Sequence, residues 1–360
     1  MNFTMLSDRF RALLDARISL EIISAPGRGK STFIEDTIAR ESARDGEPWG
    51  LSTLFLATQT PPDLIGYIMK GERVYDGRVL PISEPTMPGW MFTRDGKPLS
   101  HYKRGIVFLD EYGQGEADVK RASAELLLNG RLGPWAIPEG WTVVAASNRA
   151  SDRSGVTKSF DFVINRRCEI HVTDDLASWE SWAFAKGVDP TFITFANQNP
   201  HIVFSDGVPD KQGPWCTPRS LVMASTLLGN MRDADGRLPV DAVAVEIASG
   251  MIGEAAAAQL FAMIRLGLEM PDYKDIIANP TKVKVPTKPD AQMLVTYNLA
   301  ARVTAQDADP VITYMMRMPK EFAVTFAKVA CVREPRLIYT NAFEKWADDN
   351  ATLMTAITTV

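Results

Sequence analysis

An apolar run, Leu20 to Ile23, leads straight into Ser24-Ala25-Pro26-Gly27-Arg28-Gly29-Lys30-Ser31-Thr32, and helical character follows from Ser31 to Ala43. A loop between a buried strand and a helix can wrap a phosphate chain with successive backbone N–H groups. Gly27 and Gly29 allow the backbone angles and the close approach that such wrapping needs. This is the P-loop pattern, with Ser24 standing where its first glycine belongs. In that pattern Lys30 reaches the β- and γ-phosphates of ATP, Ser31 gives its hydroxyl to Mg²⁺, and the helix N-terminus adds a favourable partial charge.

Some eighty residues on, Ile106-Val107-Phe108-Leu109 ends in the paired carboxylates Asp110 and Glu111. Alone this is a weak signal, because many strands emerge into acidic loops. Downstream of the phosphate loop it assigns Asp110 to the Mg²⁺ hydration shell and Glu111 to orienting and deprotonating an attacking water. A further apolar strand, Thr142 to Ala146, ends in Ser147-Asn148, and parallel strands present their C-terminal ends to one edge, so Asn148 is expected beside the γ-phosphate.

The order of elements gives an α/β chain. Strands at Leu20–Ile23, Leu51–Ala57, Gly105–Asp110, Thr142–Ala146 and Cys168–Val172 alternate with helices, as in a parallel sheet. A short amphipathic helix at Ser7–Ala16, with Ser7 as its cap, precedes them. Residues 71–104 carry Pro81, Pro85, Pro88 and Pro98 and read as an insertion or long loop, and Arg131 to Trp141 reads as a β-hairpin or long turn. Beyond Asp174 the strand signal fades. Helices near Leu176–Lys186, Pro218–Leu228, Val240–Gly250 and Glu254–Leu268 make a second domain over 175–270. A linker at Asn279–Pro289 leads to helices at Ala291–Val303, Phe322–Val332 and Asn341–Ala347 in an extension over 271–360.

At 360 residues and 46% hydrophobic content the chain should fold into two or three compact units. A net charge of −5 gives no global field toward nucleic acid or anionic lipid. The three cysteines are far apart and fit a reducing compartment. With Asp8, Arg9 and Arg11 where a signal peptide would be apolar, and no apolar run near a membrane-span length, a cytoplasmic chain with no membrane partner is expected. Lys282, Lys284 and Lys288 read as solvated linker charges and the Met-rich Tyr314–Met318 as core filling. Cys168 and His171 fall on opposite faces of a strand, which rejects a zinc pair, and no serine has a histidine in a nucleophile context.

These residues resemble the AAA+ ATPase superfamily, and their order is most similar to its MoxR-type branch. Thr60-Pro61-Pro62-Asp63-Leu64-Ile65-Gly66 is similar to that branch's segment before its helix-2 insert, which would then be residues 71–104. The segment at 131–141 falls where the family has its hairpin before sensor 1, and Asn148 matches sensor 1. The resemblance covers roughly residues 15–265. It implies a P-loop AAA+ parallel sheet domain over 1–174, a mostly α-helical lid over 175–270 and an α-helical C-terminal extension. It also implies an arginine finger acting in trans, for which Asn165-Arg166-Arg167 offers Arg166 first and Arg167 as alternate. A sensor-2 arginine is matched by Arg219 in Thr217-Pro218-Arg219-Ser220.

Mg²⁺-dependent ATP hydrolysis at the interfaces of a homo-oligomeric ring, a hexamer by family resemblance, is the function this implies, with Glu111, Lys30, Asn148, Arg166 and Arg219 as catalytic residues. The partner would be a protein client, in MoxR-like systems often one with a von Willebrand A domain. The insert around Pro81 to Trp90 and the hairpin around Trp135 to Trp141 are expected to face that client or a central pore, with Trp90, Trp135 and Trp141 covered by the partner or by their own domain. Two rival functions are a DNA-directed motor, using Arg73, Arg78, Arg94, Lys97, Lys103 and Arg104 of the insert, and a nucleotide-gated scaffold with negligible turnover, motivated by Ser24.

Overall fold

The computed structural model describes residues 1–152, 155–156, 165, 167–173, 175–209 and 212–350. The chain divides into two units, Met1–Asp174 with the short segment Asp206–Val208, and the remainder.

The first unit is built on a five-stranded parallel sheet: β1 (Leu20–Ser24), β2 (Gly50–Phe55), β5 (Gly105–Asp110), β8 (Trp141–Asn148) and β9 (Cys168–His171), in the spatial order β2-β5-β8-β1-β9. Helices α1 (Phe3–Asp15), α2 (Lys30–Asp45), α3 (Pro61–Ile65) and α4 (Ala117–Asn129) complete the layers. Central strands of a parallel sheet are covered on both faces and so are apolar throughout. Every residue of β5 is buried, and along it the two faces alternate: Val107 and Leu109 pack with α4, Ile106 and Phe108 with α1 and α2. Helix α1 begins earlier than its amphipathic pattern suggests. Asn2, not Ser7, caps it, its Oδ1 accepting from the Met5 N–H at 2.8 Å, and Ser7 instead accepts a bond from Arg40 on α2.

The strand order matters for chemistry. The chain leaves β1, passes over two strand positions to reach β2, and returns through β5 and β8 to β1's side. β8 therefore lies between the strand ending in Asp110 and the strand feeding the phosphate loop, with Asn148 in register with Ser24. Crevices at such reversal points are where parallel sheets bind ligands.

The inserted segment is ordered as an insertion with its own strands rather than as a long loop. Strands β3 (Ile68–Tyr75) and β4 (Arg78–Pro85) form an antiparallel hairpin about Asp76-Gly77, both at positive φ, the geometry of a two-residue turn. Two 3₁₀ turns, Gly89–Met91 and Leu99–His101, then lead to β5. The segment after α4 is the expected hairpin, though short: β6 (Arg131–Leu132) against β7 (Trp135–Ala136).

The second unit is helical. Beyond the expected helices it contains Pro190–Gln198 and Ala308–Met315. It has two apolar cores, one centred on Phe192, Phe195, Leu221 and Phe261, the other on Val311, Tyr314, Phe326 and Trp346. The helix Pro289–Arg302 serves both, giving Leu294 and Tyr297 to the first and Val295 and Leu299 to the second. The segment read as a linker is irregular but tied down: the Tyr314 hydroxyl donates to the Lys284 carbonyl at 3.1 Å, and Arg317 donates to the carbonyls of Pro280 and Val283 at 2.6 and 2.7 Å. Lys282, Lys284 and Lys288 are exposed, and of the three methionines in Tyr314–Met318 only Met316 faces solvent broadly. No helix among the described residues is long and apolar enough to cross a membrane.

Candidate active site at the strand ends

The backbone of the Ser24–Lys30 loop explains its composition. Gly27 and Gly29 sit at φ 74° and 88°, in the left-handed region where a side chain is strained, and the space a Gly29 Cβ would occupy is open to 4 Å. Ser24 is different. It is the last residue of β1, outside the left-handed region, so no glycine is demanded there. Its hydroxyl is buried and accepts from the Lys30 ammonium at 3.2 Å, so the departure from the pattern adds a ligand to the lysine rather than closing the loop.

Lys30 opens α2 and is itself buried. Its Nζ donates to the carbonyls of Ser24 and Ala25 at 3.2 Å each and to Asn148 Oδ1 at 2.7 Å. Next to it the Ser31 hydroxyl donates to Asp110 Oδ2 at 2.7 Å, and Asp110 Oδ1 accepts from the Glu111 N–H at 2.9 Å. Both oxygens of this buried carboxylate are thus held in place. Four residues separated by up to 118 positions meet at one edge: Lys30, Ser31, Asp110 and Asn148. Thr32, one turn into α2, is half-buried, as are Pro26 and Gly27, while Ala25 and Arg28 are buried.

Glu111 follows Asp110 in the left-handed conformation, φ 52° and ψ 35°, and is exposed. A glutamate there is uncommon, and such outliers persist where surrounding structure fixes them. A 3₁₀ turn, Tyr112–Gln114, fixes the exit: the Gln114 N–H bonds the Glu111 carbonyl at 3.0 Å. The arrangement offers hard oxygen ligands, Ser31 and Asp110, for a divalent cation, a backbone cradle with an ammonium for phosphate, and an exposed carboxylate at the same strand end for a water.

The remaining assignments separate. Arg166 lies outside the described residues. Arg167, the alternate finger, is buried within its own unit and ion-paired with Glu21 of β1, so its charge is not presented to a neighbouring subunit. Arg219 is exposed at the second position of the helix Pro218–Asn230 in the helical unit, whose start is a reciprocal cap between Thr217 and Ser220. Of the three tryptophans expected to face a client, Trp90 and Trp141 are buried, and their indole N–H groups donate to the carbonyls of Leu64 and Tyr102 at 2.8 and 3.1 Å. Trp135 is half-buried and donates to the Ile65 carbonyl at 2.9 Å. All three pack on their own unit, so no client is needed to cover these indoles.

Sequence reading missed a buried charged group behind Glu111. Glu21, inside the apolar β1, accepts from the Ser147 hydroxyl and pairs with Arg167, while Lys120 of α4, fully buried, donates to the Gly113 carbonyl at 2.7 Å. Burial lowers the Lys120 ammonium to about 8, with Glu21 opposing and Arg167 adding to the shift. The available signal was the lone acid in Leu20-Glu21-Ile22-Ile23.

No protein-family model matches the chain, and no curated protein does. Among solved structures, two mutants of RuvB from Thermotoga maritima align with it. One is 11% identical over 78% of this chain and 75% of that chain, and the other 10% identical over 87% of each, both with TM-score 0.39. NtrX from Brucella abortus aligns at 13% identity over 98% of this chain and 67% of that chain, with TM-score 0.31. Overlaps this loose carry no weight for chemistry; the side chains at the strand ends do.

Proposed function

We propose that the chain is an ATPase of the AAA+ type, hydrolysing Mg²⁺·ATP at the edge of its parallel sheet between subunits of a homo-oligomeric ring, and using the cycle to remodel a protein partner as MoxR-type proteins do. The observation that supports it most is the convergence of Lys30 with Asn148 and of Ser31 with Asp110, each at 2.7 Å, beside the exposed Glu111. The loop N–H groups and the α2 N-terminus bind the phosphate chain, and Lys30 leaves its carbonyl partners for the terminal phosphates. Ser31 and Asp110 would hold Mg²⁺, which supplies charge neutralisation on the phosphate oxygens. Glu111 orients the water and takes its proton, and Asn148, already bound to the Lys30 ammonium, senses the terminal phosphate. Arg219 and a neighbour's Arg166 are assigned to the same phosphate on resemblance.

The ring is tested by mixing. Arg166→Ala and Lys30→Ala subunits, each inactive alone, should recover part of the ATPase when mixed, because some interfaces pair an intact loop with an intact arginine. Verified mixed rings that release no phosphate would remove Arg166 as a trans residue.

A protein client is favoured over DNA by what the inserted hairpin exposes. Ile68, Met69, Val74, Tyr75 and Val79, with Tyr67 just before β3, are all more than half exposed, an apolar surface on a sheet of two strands among the described residues. The basic residues a DNA motor would use are largely matched: Arg73 with Glu84, Arg94 with Glu35, Lys97 with Asp95, Lys103 with Glu47 and Arg104 with Asp15. Because Trp90 is built into the sheet unit, the informative deletion is the distal hairpin alone. Replacing residues 72–81 with a Gly-Ser turn should leave basal phosphate release intact and stability within about 0.5 kcal/mol, since it removes exposed side chains. Client-stimulated ATPase should be lost. A shortened chain that still remodels its client at the native rate would refute the hairpin as working surface.

A further inference from the structure

Glu111 occupies an unfavourable backbone conformation, and the turn after it, closed by its own Gln114 N–H bond to the Glu111 carbonyl, takes a further bond from outside the turn. Lys120, seven residues on in the first turn of α4, places its buried ammonium on the Gly113 carbonyl at 2.7 Å. On its other side Gly113 lies against β8: a Cβ added there would stand 3.1 Å from both Cβ and Oγ of Ser147, the residue before Asn148. Ser147 in turn donates to Glu21 of β1, whose second oxygen takes Arg167. The turn bearing Glu111 is therefore gripped by α4 and pressed on the strand that carries Asn148, which is tethered to the strand feeding the phosphate loop.

Stability does not account for this group. Burying Lys120, Glu21 and Arg167 carries a large desolvation cost, and apolar residues of similar volume often serve a fold as well or better. What the charged set supplies is a directional fix on one carbonyl two residues past Glu111, in a place where a displacement of about 1 Å can cost about 100-fold in rate. The bonds they make run to Gly113 and Ser147, the neighbours in the chain of the Glu111 turn and of Asn148, so they act through Glu111 and Asn148.

We propose that Lys120 and Ser147 are positioning residues for Glu111, holding its left-handed turn against β8 through Gly113. The proposal rests on the ATPase reading above and names residues outside its catalytic set. Removing the Lys120 ammonium frees the Gly113 carbonyl, and the Glu111 turn relaxes toward the right-handed region; the phosphate loop is untouched. Turnover falls and nucleotide affinity does not.

The test compares native chain, Lys120→Met, Lys120→Arg and Ser147→Ala, all full length, for kcat and for ATP Kd, each also in a Glu111→Gln background. Lys120→Met should lower kcat by roughly 10- to 100-fold with Kd within about threefold. Lys120→Arg, whose guanidinium can still donate to the carbonyl, should recover part of the loss. In the Glu111→Gln background Lys120→Met should cost nothing further, because residues acting as one unit are non-additive. A merely structural lysine would lower both backgrounds alike, and that result overturns the proposal, as does native kcat in Lys120→Met. Should Lys120→Met fail to fold, Ser147→Ala decides: a several-fold loss of kcat that vanishes in the Glu111→Gln background supports the proposal, and native kcat refutes it. A native chain that releases no phosphate from ATP sinks the ATPase reading itself, whereas native turnover with unaffected variants sinks only the positioning role.

Discussion

Glu111→Gln should bind Mg²⁺·ATP as tightly as the native chain and hydrolyse it roughly 10²- to 10⁴-fold more slowly, the span that loss of a positioned general base produces. The substitution is unusually clean here. Glutamine keeps the length of the side chain, and the strained φ of 52° penalises both residues alike, so the turn has no new reason to move. The Glu111 N–H that orients Asp110 is a backbone group and survives the change, and with it the Ser31–Asp110 contact. Kd by equilibrium binding and kcat by phosphate release should therefore part company. A variant that turns over at the native rate removes Glu111 as the base, and one that loses affinity in step with rate means the Asp110 arrangement was disturbed instead.

How much of this site could be read from residue order depends on the range of the interaction. Asp110 and Asn148 were legible because each ends an apolar run, and Lys30 and Ser31 because a glycine-rich loop follows the apolar run Leu20 to Ile23; parallel strands bring such ends together whatever lies between. The β5 boundaries, Gly105 to Asp110, were legible for the same reason: a strand buried on both faces is apolar from end to end. The β3–β4 hairpin was missed because its prolines resemble loop punctuation. Counting back from the Tyr75–Arg78 pair beside the turn, Pro81 and Pro85 fall where the N–H would point away from β3, so neither interrupts the ladder. Asp76-Gly77 was the signal that outweighed them. The helix Pro190–Gln198 was announced by Asp189 before a first-turn proline, and its Asp189 side chain does accept from the Thr191 N–H at 2.8 Å. The burial of Trp90, Trp135 and Trp141 was not legible at all, since each is fixed by one indole N–H finding a carbonyl 26 to 70 residues away. Arg167 shows the same limit. Adjacent arginines look interchangeable in sequence, and only the fold reveals that Glu21 claims this one.

The second large effect expected is at Lys30, and it is one of binding. In the structure its ammonium already sits within a ring of acceptors, two loop carbonyls, the Ser24 hydroxyl and Asn148 Oδ1, all drawn to where the phosphate chain would lie. That ring is a storage position: neutral acceptors hold the charge, and an anion that displaces them gains a shorter, charge-assisted bond. Lys30→Ala removes the ammonium that α2 carries into the cradle. Truncating one side of a buried charged pair costs about 2–5 kcal/mol, which corresponds to a weakening of Kd by roughly 30- to several-thousand-fold. Thermal unfolding reads this without any need for turnover. Nucleotide at about 100 times its native Kd stabilises the native chain by about 2.7 kcal/mol, and Lys30→Ala should show almost none of that rise while Glu111→Gln shows all of it. If Lys30→Ala kept the full nucleotide-dependent rise, the loop would be only a helix cap rich in glycine, and the site would have to be sought elsewhere on the chain.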